Sequence, residues 1–182
     1  MANLRPPVTP EDHIQGPEDA PVTLVEYGDY ECPHCGRAHS VIKRVQKHFG
    51  KSLRFVFRNF PLSELHPHAE SAAETAESAG ARGKFWEMHD LLFENQERLS
   101  GDLYLKLAKQ LSLPIEALSK ALEEGTYQTR VRADFSSGVR SGVNGTPTFF
   151  INGKRHDGPF DYETLVLAIQ EQIGRRGNAA VA

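Results

Sequence analysis

Apolar positions in the first third of the chain predict a strand, a helix and a second strand. Val22–Tyr27 is a nearly continuous apolar run rich in β-branched residues, which is typical of a buried strand. A turn at 28–31 leads to a helix that begins at Pro33 and ends at Gly50. Leu53–Arg58 alternates apolar residues with arginines, which indicates the second strand. One apolar face of the helix follows from the spacing of Ala38, Val41, Ile42, Val45 and Phe49.

The pattern changes to helical spacing over about 65–140 and then returns to strands. Thr148–Ile151 is predicted as a strand, Asn152-Gly153 as a hairpin turn and Lys154–His156 as the returning strand. A last helix follows from Asp161, a favourable N-cap. The order β-α-β, helical block, β-β-α predicts an α/β domain with a mixed sheet.

This order predicts one domain over 1–182. Its core is expected at about 21–60 and 142–173, because those segments carry the strand patterns. The helical block at 65–140 is expected to be an insertion, since no flexible linker borders it.

Charge and hydropathy exclude two classes of partner. A formal net charge of −3 provides no basic surface for nucleic acid, and no apolar run approaches the roughly 18 residues of a membrane span. The first 21 residues lack an apolar leader segment, which predicts a cytoplasmic protein. A periplasmic location is the alternative if the natural chain begins earlier.

The chemistry is predicted at Cys32 and Cys35, the two cysteines of the chain. Two residues separate them, so a bond between them would not staple distant parts of the fold. Cys32 is expected at a helix N-terminus, where unpaired N–H groups and the helix dipole favour a thiolate. This predicts Cys32 as the nucleophile, with His34 as an additional stabilising group. Cys35, one turn into the helix, is predicted to be the more buried, resolving thiol.

A zinc site is the alternative to redox chemistry. His39 and His48 could complete a ligand set with the two cysteines. However, His39 lies one turn beyond Cys35, and the chain has no second Cys-x-x-Cys motif. Disulfide chemistry is therefore favoured and no metal is predicted. Three further histidines are assigned no chemistry: His66 and His68 are expected on the surface, and His89 is expected to be structural or exposed.

Two motifs resemble the DsbA-like branch of the thioredoxin superfamily. They are Glu26–Cys35, which contains Cys-Pro-His-Cys, and Val143–Gly153, which contains Thr-Pro-Thr. The chain is similar to soluble bacterial oxidoreductases whose domain also occurs fused to sodium/proton antiporters. The resemblance covers roughly 12–173. It implies a thioredoxin-like fold with a helical insertion, disulfide exchange with protein thiols, and no bound cofactor beyond the redox-active cysteines.

The resemblance also assigns roles to individual residues. Pro147 matches a cis-proline that faces the active-site sulfurs, and Pro33 and Thr146 join it in substrate binding, with the Thr146 backbone pairing with a substrate segment. Glu26 matches an acidic residue beneath the cysteines. A buried carboxylate there should have a raised pKa and could carry a proton to or from Cys35. Glu31 departs from the family, because an aromatic residue is often found at its position.

The predicted function is a protein thiol–disulfide oxidoreductase, with protein thiols or disulfides as substrates and an unidentified redox partner. Two alternatives remain open. One is a non-catalytic redox sensor or binding module, in which the cysteine pair switches a docking surface. The other is a reductase of small thiols of the glutathione type. The direction of electron flow and the native substrate are left open by the sequence.

Overall fold

The strands form one mixed sheet in the computed structural model, which describes residues 2–179, with side chains described as far as Arg175. Its order is β1-β3-β2-β4-β5. These strands are His13–Gln15, Val22–Gly28, Leu53–Asn59, Thr148–Ile151 and Lys154–His156, numbered β1, β2, β3, β4 and β5. Neighbours pair antiparallel in three cases: β1 with β3, β2 with β4, and β4 with β5. The remaining neighbours are β3 and β2, and the sheet as a whole is mixed, which confirms the prediction.

Helices connect and extend these strands. Pro33–Phe49 (α1) links β2 to β3, and Tyr162–Ala179 (α7) ends the described chain. Between β3 and β4 lies the helical insertion, as predicted, with helices α2 to α6 at Ala69–Gly80, Phe85–Glu94, Gly101–Gln110, Ile115–Glu124 and Gln128–Arg140. This is the α/β arrangement expected from the order of the patterns, and it is thioredoxin-like, as the family resemblance implied.

Local sequence explains the element boundaries. In α1, Ala38, Ile42 and Val45 are buried, so three of the five predicted face positions are in the core. Gly50 follows the helix with a positive φ of 49°, a conformation that favours glycine at a helix end. Asp161 caps α7, because its carboxylate accepts the backbone N–H of Thr164 at 3.0 Å.

The hairpin turn was predicted correctly, but a strand in the N-terminal segment was not predicted. Asn152 and Gly153 both have positive φ between β4 and β5, which is the predicted tight turn. The sequence pattern predicted no strand in the N-terminal segment, and this was incomplete. The segment contains β1, which pairs with β3 through His13 and Phe57. Three residues are too few for periodicity to identify, so the strand depends on its partner.

The contacts divide the chain into two compact units. The first unit consists of the residues up to Tyr27, Arg37–Arg58 and the residues from Ser137 onward. The second unit consists of Gly28–Gly36 and Asn59–Ser136, so it contains the cysteine turn and most of the helical insertion. The single-domain boundaries drawn from the sequence stay a prediction.

A buried polar cluster joins the end of β3 to α2 and α6 in the second unit. Asp134 accepts the backbone N–H of Asn59 at 3.0 Å, and Glu77 accepts the Asn59 amide at 2.7 Å. Arg130 forms an ion pair with Asp134. Burial raises the pKa of Asp134 to about 6, against the opposing charge of Arg130. The ionised form of Asp134 therefore costs folding free energy.

Replacing Asp134 by asparagine should change how stability depends on pH. The folded-state pKa lies above the ordinary 3.8, so the wild-type protein loses stability as the pH rises through about 4 to 6. Asp134→Asn lacks this loss. Its stability relative to wild type should therefore improve by up to about 3 kcal/mol between acidic and neutral pH.

Urea unfolding of both proteins across this pH range measures the difference. Asp19→Asn, which changes an exposed carboxylate, is the control. Its free energy of unfolding relative to wild type should stay the same across the pH range. A difference for Asp134→Asn that does not depend on pH would contradict the prediction.

Candidate active site

The cysteine turn connects β2 to α1. The Cys32 N–H donates to the Asp29 carbonyl oxygen at 3.2 Å, and the Cys32 carbonyl oxygen accepts the Gly36 N–H at 3.1 Å. Cys32 thus occupies the cap position, and Pro33 takes the first helical position, where a missing N–H removes no helical bond. The positive end of a 17-residue helix therefore faces the Cys32 thiol group.

Burial distinguishes the residues of the Cys-Pro-His-Cys motif. Cys32 is 4% exposed and Cys35 is fully buried, whereas Pro33 and His34 are exposed. Both cysteines are present as thiols. The exposed edge of the motif is where another molecule can reach it, and Cys35 is the more buried thiol, as the sequence predicted.

Asp29 contacts both cysteines through its backbone and was missed in the sequence, where it was only a turn residue. It is 1% exposed. Besides its carbonyl bond with Cys32, its backbone N–H donates to Cys35 Sγ at 3.4 Å. Its carboxylate accepts the backbone N–H groups of Glu31 at 2.8 Å and Leu62 at 2.9 Å. A third group, Nδ1 of His66, lies 2.8 Å from Asp29 Oδ2.

The position of His66 corrects the expectation that it lies on the surface. Its side chain is only 19% exposed and is held by Asp29. His68 is closer to that expectation, with a side chain that is 45% exposed, but it is also engaged. Its Nδ1 lies 2.9 Å from Glu31 Oε1. Glu31, the residue that departs from the family, therefore has a histidine partner.

Gln96 is a second residue that the sequence did not indicate. Its side-chain amide donates to the carbonyl oxygens of Tyr30 at 2.7 Å and Cys32 at 2.9 Å. It lies in a short 3₁₀ turn at Gln96–Arg98, far along the chain from the cysteines. A Cβ at Gly36 would come within 2.3 Å of Gln96 Oε1. Glycine at position 36 therefore leaves room for Gln96 to hold the cysteine turn.

Aromatic residues pack beneath this turn within the second unit. Tyr30 is 1% exposed, and its hydroxyl lies 3.0 Å from Nδ1 of His89. The ring of Phe93 lies 4.9 Å from that of Tyr30. His89 is 3% exposed, so it is a structural residue, one of the two possibilities expected. Phe85 is also buried and belongs to the core.

Three predicted site residues belong to the first unit. Glu26 is 2% exposed in β2, opposite Phe149 of β4, so its predicted burial is confirmed. The Thr146–Pro147 peptide bond is cis and immediately precedes β4. The roles of Glu26, Thr146 and Pro147 toward the cysteines stay predictions.

The zinc alternative would need further ligands beside the cysteines. Among the described residues, no histidine or carboxylate lies close enough to both cysteine sulfurs to bind one metal ion together with them. His48 instead contacts the hydroxyl of Tyr162, with Nδ1 at 2.8 Å. The arrangement of the cysteine turn suits thiol chemistry, because a helix N-terminus stabilises an anion at Cys32.

The fold and the cysteine turn together define a thioredoxin-like protein with the fold of DsbA-like thiol–disulfide oxidoreductases. The family described as Thioredoxin matches residues 8–171, and the chain belongs to this family. None of the helices in the described part of the chain offers an apolar stretch that could span a bilayer.

Similar proteins support this assignment. The Na(+)/H(+) antiporter NhaA 3 of Salinispora tropica is 43% identical over 170 residues, which cover 93% of this chain and 26% of the relative. The chain thus spans about a quarter of that protein. BdbD from Bacillus subtilis, in an oxidised crystal structure, superposes with a TM-score of 0.83 and 28% identity, covering 90% of this chain and 93% of that one. Alpha-DsbA1 from Wolbachia pipientis has a TM-score of 0.79 and 20% identity, covering 92% and 94%.

Proposed function

We propose that this chain is an enzyme that exchanges disulfides with protein thiols through Cys32-Pro33-His34-Cys35. The observation that carries the proposal is the strand–turn–helix around the cysteines. It places Cys32 at the N-terminus of α1 and buries Cys35 one turn later. A low-pKa nucleophile beside a second thiol is the minimum that thiol–disulfide exchange needs.

In the reducing direction, the Cys32 thiolate attacks one sulfur of a substrate disulfide. The substrate S–S bond breaks, a mixed disulfide forms, and the first substrate sulfur leaves as a thiolate that takes a proton. Cys35 then loses its proton and attacks Cys32 Sγ. This releases the second substrate thiolate and leaves a Cys32–Cys35 disulfide, so two electrons pass from the protein to the substrate. The oxidising direction is the reverse sequence.

The remaining motif residues have supporting roles in this proposal. His34 is exposed beside Cys32 and stabilises its thiolate. Pro33, Thr146 and Pro147 bind the substrate segment, with Thr146 pairing through its backbone. Glu26, buried in β2, carries the proton that Cys35 must lose. No bound cofactor is needed, because the cysteine pair itself holds the electrons.

Stabilisation of the Cys32 thiolate favours the oxidant direction. A helix N-terminus lowers the free energy of the thiolate, which exists only in the reduced protein. The reduced form gains stability, so the disulfide form becomes a stronger oxidant. Which direction operates depends on the redox poise of the compartment. The protein-thiol substrates are part of the proposal.

Turnover separates an enzyme from the alternatives. With dithiothreitol as the reductant, a substoichiometric amount of the protein should accelerate insulin reduction about tenfold or more over the reductant alone. Protein alkylated with iodoacetamide before the assay is the control and should give no acceleration. A redox sensor would equilibrate once and then stop. Acceleration only with glutathione disulfide in place of insulin would indicate a small-thiol reductase.

A further inference from the structure

The loop between β3 and α2 brings two histidines to the cysteine turn. His66 lies against Asp29, and His68 lies against Glu31, so each histidine contacts an acidic residue just before Cys32. Both acidic residues belong to the turn itself. The loop therefore brings two histidine side chains to the turn that carries Cys32.

His66 is the more firmly held of the two. Asp29 is almost fully buried, and its Oδ2 contacts both the His66 ring at 2.8 Å and the Leu62 N–H at 2.9 Å. With Nδ1 engaged by Asp29, the second ring nitrogen of His66 points away from that carboxylate. The Asp29 backbone contacts the N–H of Cys32 and the sulfur of Cys35. One buried residue thus fixes His66 relative to both cysteines.

The charges around His66 favour its protonated form. Burial, the largest single effect, lowers the pKa of His66, whereas the hydrogen bond and the charge of Asp29 raise it. The charges of a Cys32 thiolate and of Glu31 add to the effect, and the pKa is raised above 6.5. Attraction between two charges acts equally on both partners, so a His66 cation must stabilise the Cys32 thiolate as much as the thiolate stabilises it.

We propose that His66, held by Asp29, is a positioning residue that stabilises the Cys32 thiolate as an imidazolium and makes the reactivity of Cys32 depend on the protonation of the loop. The inference deepens the proposed function and rests on Cys32 being the attacking thiol. It adds a second source of positive charge to the helix N-terminus. Because the source is titratable, its contribution is present only while His66 is protonated.

The neighbouring charges determine the sign of the effect. The titratable groups facing His66 are Asp29, Glu31 and Cys32 from the turn, and His68 of the same loop contacts Glu31. When His66 loses its proton, the positive charge that stabilises the Cys32 thiolate is gone. The titration of Cys32 should therefore show two coupled steps rather than one.

Substitution of His66 provides the test, read from thiolate absorbance against pH and from the rate of iodoacetamide alkylation mapped to Cys32. His66→Gln should raise the apparent pKa of Cys32 by about half a unit to one unit, and should slow alkylation at mildly acidic pH by about three- to tenfold. His66→Lys keeps a cation, so it should restore the low pKa and remove the second titration step.

The matched control is His48→Gln. His48 lies near the C-terminal end of α1 and contacts the neutral hydroxyl of Tyr162. The His48→Gln variant should therefore have the same Cys32 titration as the wild-type protein. If folded His66→Gln has an unchanged Cys32 titration, or if His66→Lys behaves like His66→Gln, the proposal is wrong and His66 only supports the loop.

A reciprocal measurement needs no change at His66. In wild-type protein, the NMR titration of the His66 ring gives its pKa, and Cys32→Ser should lower that value because the thiolate charge is gone. An unchanged value would overturn the proposal even if every His66 variant failed to fold. Failure of the insulin assay with these shifts present would refute the enzymatic function alone. Turnover without the shifts would refute only the role of His66.

Discussion

Replacing Cys32 by serine should abolish disulfide exchange, and replacing Cys35 by serine should trap the protein on its substrate. A serine hydroxyl at position 32 is not ionised at the helix N-terminus, so the rate should fall by about a thousandfold or more. Cys35→Ser keeps the nucleophile but lacks the thiol that resolves the mixed disulfide. The first step then proceeds and the second does not.

Mass spectrometry of each variant after mixing with an oxidised protein substrate measures the outcome. Cys35→Ser should accumulate a covalent adduct through Cys32 that reductant releases, and Cys32→Ser should form none. Wild-type protein is the control, because its own Cys35 should remove the adduct. The assignment of roles is wrong if the adduct forms through Cys35 in Cys32→Ser, or if mildly acidic alkylation modifies Cys35 first.

Replacing Arg58 by methionine should strongly destabilise the first unit. Arg58 is 2% exposed, and its guanidinium contacts both carboxylate oxygens of Asp12, at 2.7 and 2.9 Å. It also donates to the Tyr27 hydroxyl at 2.9 Å and to the carbonyl oxygens of Pro6 and Pro7, both at 3.1 Å. Removing it leaves Asp12 as a buried anion, which should cost about 3–5 kcal/mol.

Guanidinium unfolding measures this cost. Arg54→Met is the matched control, because Arg54 lies on the same strand and donates to Thr23 Oγ1 and the Glu18 carbonyl oxygen, neither of which is a carboxylate. It should cost about 1 kcal/mol or less. Arg58→Met combined with Asp12→Asn should recover part of the loss, since the buried anion is gone. Equal costs for the two arginines would contradict the prediction.

The N-terminal segment illustrates why part of the fold could not be predicted. Its prolines and acidic residues resemble a disordered lead-in, yet β1 pairs with β3 and Asp12 neutralises Arg58. Asp12 and Arg58 are 46 residues apart, and neither position is unusual by itself. The Arg54 and Arg58 alternation predicted the strand correctly but could not show that one arginine is buried.

The cysteine turn also combines features that the sequence predicted with contacts that it could not predict. Strand β2, helix α1 and the helical insertion follow from local periodicity and from capping residues, so the sequence by itself determined them. The motifs Glu26–Cys35 and Val143–Gly153 carried the resemblance to the family. Tertiary structure decided what surrounds Cys32. The contacts of Asp29 with His66 and of Gln96 with the Cys32 carbonyl join residues 37 and 64 positions apart. Such contacts leave no periodic signal, because polar partners are chosen by proximity in the folded chain rather than by spacing along it.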